Sequence, residues 1–157
     1  MDASEAVPKQ GRPRTTYLVK RLELAVRAHL DQAIGEIGLT TPQYAALSAL
    51  PLKPGITSAE LARLSFVSPQ AMNEMVGVLE RKGLIRRQAS PQNKKRLGIF
   101  LTEHGEDCLR QCEKRADQVE EILFAELSVK EHQTLDRLLR KCTDPFARDR
   151  SVPGGPA

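Results

Sequence analysis

The chain has 157 residues, of which 40% are hydrophobic, 28% charged and only 4% aromatic, with no tryptophan. That length is about one domain, too short for two ordinary enzymatic ones, and the composition excludes collagen-like, disordered and membrane-spanning classes. The net charge of +4 conceals an asymmetry: residues 53 to 96 carry nine basic and three acidic side chains, a net of +6, while residues 97 to 142 carry seven and ten, a net of −3.

A polyanion-facing surface beside an acidic scaffold is the expectation from that split. No apolar run approaches the roughly 18 residues of a membrane helix, and residues 1 to 14 lack the apolar core of a signal peptide. A cytoplasmic protein with no membrane partner is therefore expected. Cys108, Cys112 and Cys142 are odd in number and without CxxC spacing, so reduced thiols are expected, with neither a disulfide framework nor a structural zinc.

Residues 1–14 and 143–157 are rich in Pro, Gly and polar groups and read as flexible tails. Leu18, Leu22, Ala25, Val26, His29, Leu30, Ala33 and Ile34 recur at three- and four-residue spacing, predicting an amphipathic helix over 17–37 that Gly38 stops. Thr41 and Pro42 then supply an N-cap and a first-turn proline for a short helix with Tyr44, Ala46, Leu47 and Leu50. A Lys-Pro-Gly turn at 53–55 leads to Ile56, a candidate single-residue β contact.

Thr57 and Glu60 form a capping box that opens a third helix with Leu61, Ala62 and Leu64 apolar. After a break at 65–67, Ser68 and Pro69 start a fourth helix, with Met72, Met75, Val76 and Leu79 on one face and Gly83 past its end. Two helices joined by so short a turn make a helix-turn-helix. Residues 84–87 read as a strand, 88–96 as a polar loop, and Leu97, Ile99 and Leu101 as an alternating return strand, so a basic-tipped wing completes a winged helix.

Thr102 caps a long helix in which Leu109, Cys112, Ala116, Val119 and Leu123 form a heptad-like seam. Ser128 and Glu131 form a second capping box, with Leu135, Leu138, Leu139 and Cys142 expected to face inward. The fold class is mainly α with a small β-hairpin wing: a dimerisation helix at 15–38, a winged helix-turn-helix at 39–101 and C-terminal dimerisation helices at 102–142. The flanking helices exceed what a winged helix needs, and a second copy of the chain is the simplest partner for them.

LTTPQYAALSAL (39–50), GITSAELARLSFVSPQAMNEMVGVLERKGLIRR (55–87) and SPQNKKRLGIFLTEHG (90–105) resemble the MarR family of dimeric winged-helix transcription regulators. The resemblance spans about 18 to 142. It implies a two-fold dimer with one winged domain in each half-site of a pseudo-palindromic operator, half-sites about 10 to 11 base pairs apart. It also implies repression relieved by a small aromatic or phenolic effector, with oxidant sensing through cysteine in some members. Asn93 and Lys95 stand where the family's wing usually carries an Asp and, two residues on, an Arg. Arg96 is one residue from that arginine position and is the candidate to replace it.

The face of the fourth helix opposite its apolar stripe carries Gln70, Asn73, Glu74, Gly77 and Arg81. Asn and Gln amides can pair bidentately with adenine N6 and N7, making Gln70 and Asn73 the prime candidates for base readout. Ser58, Ser68 and Pro69 stand at helix starts, where hydroxyls and free N–H groups suit phosphate. Lys94, Lys95 and Arg96 tip the wing. An effector pocket implied by the resemblance is expected near His29, Tyr44 and Leu47.

No nucleophile elbow or Gly-rich phosphate loop is present, so no catalytic residue and no cofactor is expected. His104, Cys108 and Cys112 fall at i, i+4 and i+8, too far apart along the axis to share one ion, and no metal site is expected. Cysteines 108, 112 and 142 read as small buried hydrophobes, with Cys112 the candidate for an intersubunit bridge. The sequence thus predicts a homodimeric repressor of double-stranded DNA. The rival readings are a protein-interaction scaffold without specific DNA binding and a cysteine-based redox-gated regulator.

Overall fold

The computed structural model describes residues 11, 13–89, 91 and 93–148. Among these residues six helices and one hairpin follow in the order α1 (Thr15–Gly35), α2 (Thr41–Ala49), α3 (Ser58–Leu64), α4 (Pro69–Arg81), β1 (Ile85–Ala89), β2 (Leu97–Leu101), α5 (Glu103–Leu123) and α6 (Val129–Arg148). The strands pair antiparallel with Ile85 opposite Leu101 and Ala89 opposite Leu97. Ile56 adds the expected isolated bridge, to Ile99.

Local chemistry sets most of the boundaries. Thr57 accepts from the Glu60 backbone N–H while the Glu60 carboxylate accepts from the Thr57 N–H, closing the predicted capping box. Ser68 caps α4 through the Ala71 N–H, Pro69 fills a first-turn position that needs no donor, and Gly83 at φ +70° ends it. The cap of α2 is Thr40 and not the expected Thr41: Thr40 forms a capping box with Gln43, leaving the Thr41 hydroxyl to donate to Asp31 of α1 at 2.6 Å.

One core joins the winged part to the long helices. Ile34, Leu47, Leu61, Met72, Val76 and Ile99 are fully buried in it, and Cys112 of α5 closes it from above. The predicted α5 seam is real, with Leu109, Cys112 and Val119 buried, but within a single chain it already packs along α1. A seven-residue period announces a partner helix without saying which chain supplies it. Cys112 consequently sits in the core at 0% exposure, which overturns the expectation of an intersubunit bridge there.

Three further expectations are corrected. Leu138 and Leu139 are exposed in the single chain, and so is Cys142, against the inward face and the buried thiol expected. β1 extends to Ala89, so Gln88 belongs to the strand and not to the loop. α6 continues to Arg148 through Pro145, past the expected boundary at 142. The remainder of that expected tail, 149–157, and residues 1–10 and 12 of the other lie outside the described residues. Among the described residues no helix is long and apolar enough to cross a membrane.

Candidate nucleic-acid interface

α3, the turn 65–67 and α4 form the helix-turn-helix. Ser65 and Val67 donate back to Leu61 and Ala62, which tightens the turn, and Phe66 between them adopts φ +54° with its ring 55% exposed. Burial of Met72, Val76 and Leu79 turns the opposite side of α4 outward. Gln70, Asn73, Glu74 and Arg81 are exposed on it, as are Ser68 and Pro69 at its start.

Hydrogen bonds pre-arrange that face. The Ser58 hydroxyl, from the first turn of α3, donates to Asn73 Oδ1 at 2.5 Å. Gln70 Nε2 donates to Glu74 Oε1 at 3.4 Å, a weak link. Gly77 has a specific neighbour: a Cβ there would lie 3.3 Å from the Arg81 Nη1, so the missing side chain gives the arginine head its place one turn back.

The wing is held without an Asp–Arg pair. Asn93 Oδ1 accepts from the Lys95 backbone N–H at 3.0 Å, and the Arg96 N–H donates to the Asn93 carbonyl at 2.9 Å, closing the tip. The Arg96 guanidinium reaches back to α3, 3.2 Å from each carboxylate oxygen of Glu60. Thr57's backbone N–H, then its hydroxyl, and after these Arg96 hold the Glu60 carboxyl below the usual carboxylate range. Lys94 and Lys95 are exposed at the tip.

At the base of the wing, Arg87 donates from Nε and Nη2 to Glu80 Oε2 at 3.0 and 2.6 Å, joining β1 to α4. Arg86 lies over the Phe100 ring, 5.1 Å from its centroid. Gly98 is obligatory for this closure, since a Cβ there would stand 2.8 Å from the Gly55 carbonyl oxygen. Sequence reading missed Glu60 as the partner of Arg96, because the capping box already accounted for that carboxylate.

The residues expected to line an effector pocket have different settings. His29 Nδ1 is 2.8 Å from the Ala25 carbonyl oxygen of its own helix. Tyr44 is half-buried, and burial, reinforced by Glu113 and neighbouring groups of α5, pushes its phenol upward. Leu47 has no exposed surface and belongs to the core. Among the described residues no group of three His, Cys, Asp or Glu is arranged to hold a metal ion.

The two-helix reader, the antiparallel wing and the flanking long helices define a winged helix-turn-helix protein of the kind found in transcription regulators. The MarR family model matches residues 37–96. The chain is 33% identical over 125 residues to the HTH-type transcriptional repressor Rv2887 of Mycobacterium tuberculosis, covering 80% of this chain and 90% of that protein. The chain belongs to the MarR family.

Solved structures agree. The Mycobacterium tuberculosis MarR family protein Rv2887 in complex with salicylic acid matches with TM-score 0.70 and 31% identity over 84% of this chain and 98% of that one. The same protein in complex with DNA matches with TM-score 0.70 and 29% identity over 83% and 98%.

Proposed function

We propose that this chain is a homodimeric, sequence-specific DNA-binding repressor that occupies a pseudo-palindromic operator and is released by a small aromatic or phenolic effector. The observation that carries the reading is the outward polar face of α4, ordered by Ser58 and flanked by a cationic wing clamped to α3. α4 lies in the major groove, with Gln70, Asn73, Glu74 and Arg81 toward base edges and Gly77 admitting the Arg81 head. Ser68 and Pro69 lie toward phosphates at the start of α4, Ser58 stands behind Asn73, and Lys94, Lys95 and Arg96 follow the backbone with the wing.

The dimer rests on the apolar residues left outside the core at the two ends of the chain: Tyr17, Leu18, Val19 and Leu24 of α1, and Ile122, Val129, Leu138 and Leu139 of α5 and α6. These are the dimerisation helices of the reading, and residues 39–101 are its DNA-binding part. The salicylic acid and DNA complexes of the similar Rv2887 support both the ligand class and the nucleic acid. In this reading the effector lies near His29, Tyr44 and Leu47. No catalytic role, cofactor or metal is part of the reading, and its location is cytoplasmic.

Fluorescence anisotropy on DNA from the region upstream of its own coding sequence and on a scrambled duplex, from roughly 50 to 200 mM salt, tests it. The expected result is a preference of about a thousandfold or more for the native fragment at physiological salt, reduced by salicylate. Equal, weak and steeply salt-dependent binding to both duplexes would overturn the reading in favour of an acidic protein partner for the wing.

A further inference from the structure

The α1–α2 turn, the end of α4 and the first turns of α5 border a cavity of about 420 Å³, within the usual range for small-molecule sites. Leu39, Leu84 and Cys108 line its apolar part and are buried. Lys82, His104 and Gln111 line its rim and are exposed. Apolar walls under a few convergent polar groups are what a small organic molecule needs for burial and orientation.

Lys82 sets the charge that such a molecule would carry. Its ammonium donates to the Gly38 carbonyl at 2.6 Å, across 44 positions of sequence, and this bond holds a long cationic side chain at the cavity. The carbonyl is neutral, and among the described residues no carboxylate pairs with Lys82. One bond to Gly38 leaves two of the three ammonium hydrogens to donate elsewhere. The His104 ring and the Gln111 amide bring further N–H donors, and no acidic residue is among the described residues lining the cavity.

We propose that this cavity binds a small carboxylate with an apolar body, the carboxylate on the Lys82 ammonium and the rim donors, the body on Leu39, Leu84 and Cys108. The place differs from the effector region of the proposed function. Tyr44 has Cys112, Glu113 and Asp117 of α5 for neighbours, whereas the cavity meets α5 nearer its start, at His104, Cys108 and Gln111. The inference goes beyond the regulator reading and does not depend on it.

Benzoate is the probe, and the Cys108 thiol reports its arrival. The full chain is labelled with a thiol reagent across a benzoate titration, and peptide mapping follows each cysteine. Labelling at Cys108 is expected to slow saturably, by about tenfold at ten times the half-protecting concentration, while exposed Cys142 in the same sample keeps its rate. Benzamide, of nearly the same shape without the charge, is expected to need about fivefold or more higher concentration for the same protection. Lys82→Met is expected to weaken benzoate protection to a similar extent, and Lys82→Arg, which keeps a cation at the rim, to retain it.

Cys108 labelling that stays unchanged throughout the titration would overturn the proposal. So would equal protection by benzamide, because no cation would then select the ligand, and so would protection that survives Lys82→Met, which would place benzoate elsewhere in the chain. If Lys82→Met loosens the α1–α2 turn, Cys108 labelling rises with and without benzoate alike, and the contrast between benzoate and benzamide in the parent chain still decides. None of these outcomes bears on DNA binding, which anisotropy measures separately.

Discussion

Arg96 in the wing lies 3.2 Å from both carboxylate oxygens of Glu60, a residue 36 positions earlier at the start of α3. The pair is half-exposed, 50% and 36%, and pairs of that kind contribute only about 0 to 1 kcal/mol to global stability. Its consequence is local order. Arg96→Ala is expected to leave the urea midpoint nearly unchanged, to speed amide exchange across 94–97, and to weaken binding to all duplexes alike.

The same pair has a pH signature. Because the Glu60 carboxyl titrates below its unfolded value, its contribution is present above the ordinary carboxylate range and is lost as pH falls through the lowered value. Lower protection factors across 94–97 in the parent chain are therefore expected once pH falls below the ordinary carboxylate range, and not at neutral pH. Equal protection factors on both sides of that range would show that the ion pair does not order the wing.

Phe66 holds φ +54° in the turn between α3 and α4, a conformation that costs a side-chain-bearing residue about 1 kcal/mol and costs glycine little. Its ring is mostly exposed, so little packing is lost with it. Phe66→Gly is expected to raise stability by about 1 kcal/mol in urea unfolding, whereas Phe66→Ala, which keeps a Cβ, changes it little. A glycine variant less stable than the alanine variant would show that the ring has a packing role.

Gly105 allows the first turn of α5 to press on the segment leaving α4. An added Cβ would stand 1.9 Å from the Leu84 carbonyl oxygen, which itself accepts from the Thr102 N–H at 3.0 Å. Backbone cannot move aside as a flexible side chain can, so Gly105→Ala is expected to cost about 3 kcal/mol. Gly35→Ala, at a helical position with nothing within 4 Å, is the control and is expected to stabilise by about 0.5 kcal/mol. Equal urea midpoints for the two variants would refute the assignment.

The three thiols differ in access. Burial, helped by the neighbouring Cys108, pushes the Cys112 thiol up to about 12. Labelling of the native chain with a thiol reagent is expected to be fast at exposed Cys142, slower at Cys108, which lines a cavity of about 420 Å³, and complete at Cys112 only on unfolding. Linkage adds a second readout: the unfolded thiol ionises near 8.5, so the Cys112 contribution is intact below that pH and is lost as pH rises toward 12. An oxidant response that survives Cys112→Ala fits this order, and fast native labelling at Cys112 contradicts it.

The helix-turn-helix was legible because its signals are local: Thr57 with Glu60, and Ser68 with Pro69, lie within four residues of each other. The outward face of α4 followed from the spacing of Met72, Val76 and Leu79. The α2 cap was legible too, since Gln43 lies three residues after Thr40 and completes a capping box that Tyr44 cannot give Thr41. Two features needed the folded chain. The seam of α5 met α1 of its own chain, because periodicity reports a buried side and not its neighbour. The brace of Arg96 was invisible because its partner already had a complete local explanation and lies far away in sequence.

Thr102 binds the exit of α4 twice, its N–H to the Leu84 carbonyl and its hydroxyl to the Gly83 carbonyl at 2.6 Å. The end of α4 and the root of α5 are thereby one joint with no slack. α5 has 21 residues, a shaft of about 30 Å at roughly 1.5 Å per residue. Mechanically it is a crank, in which each degree of tilt about the Leu123 end carries the α4 joint by about 0.5 Å.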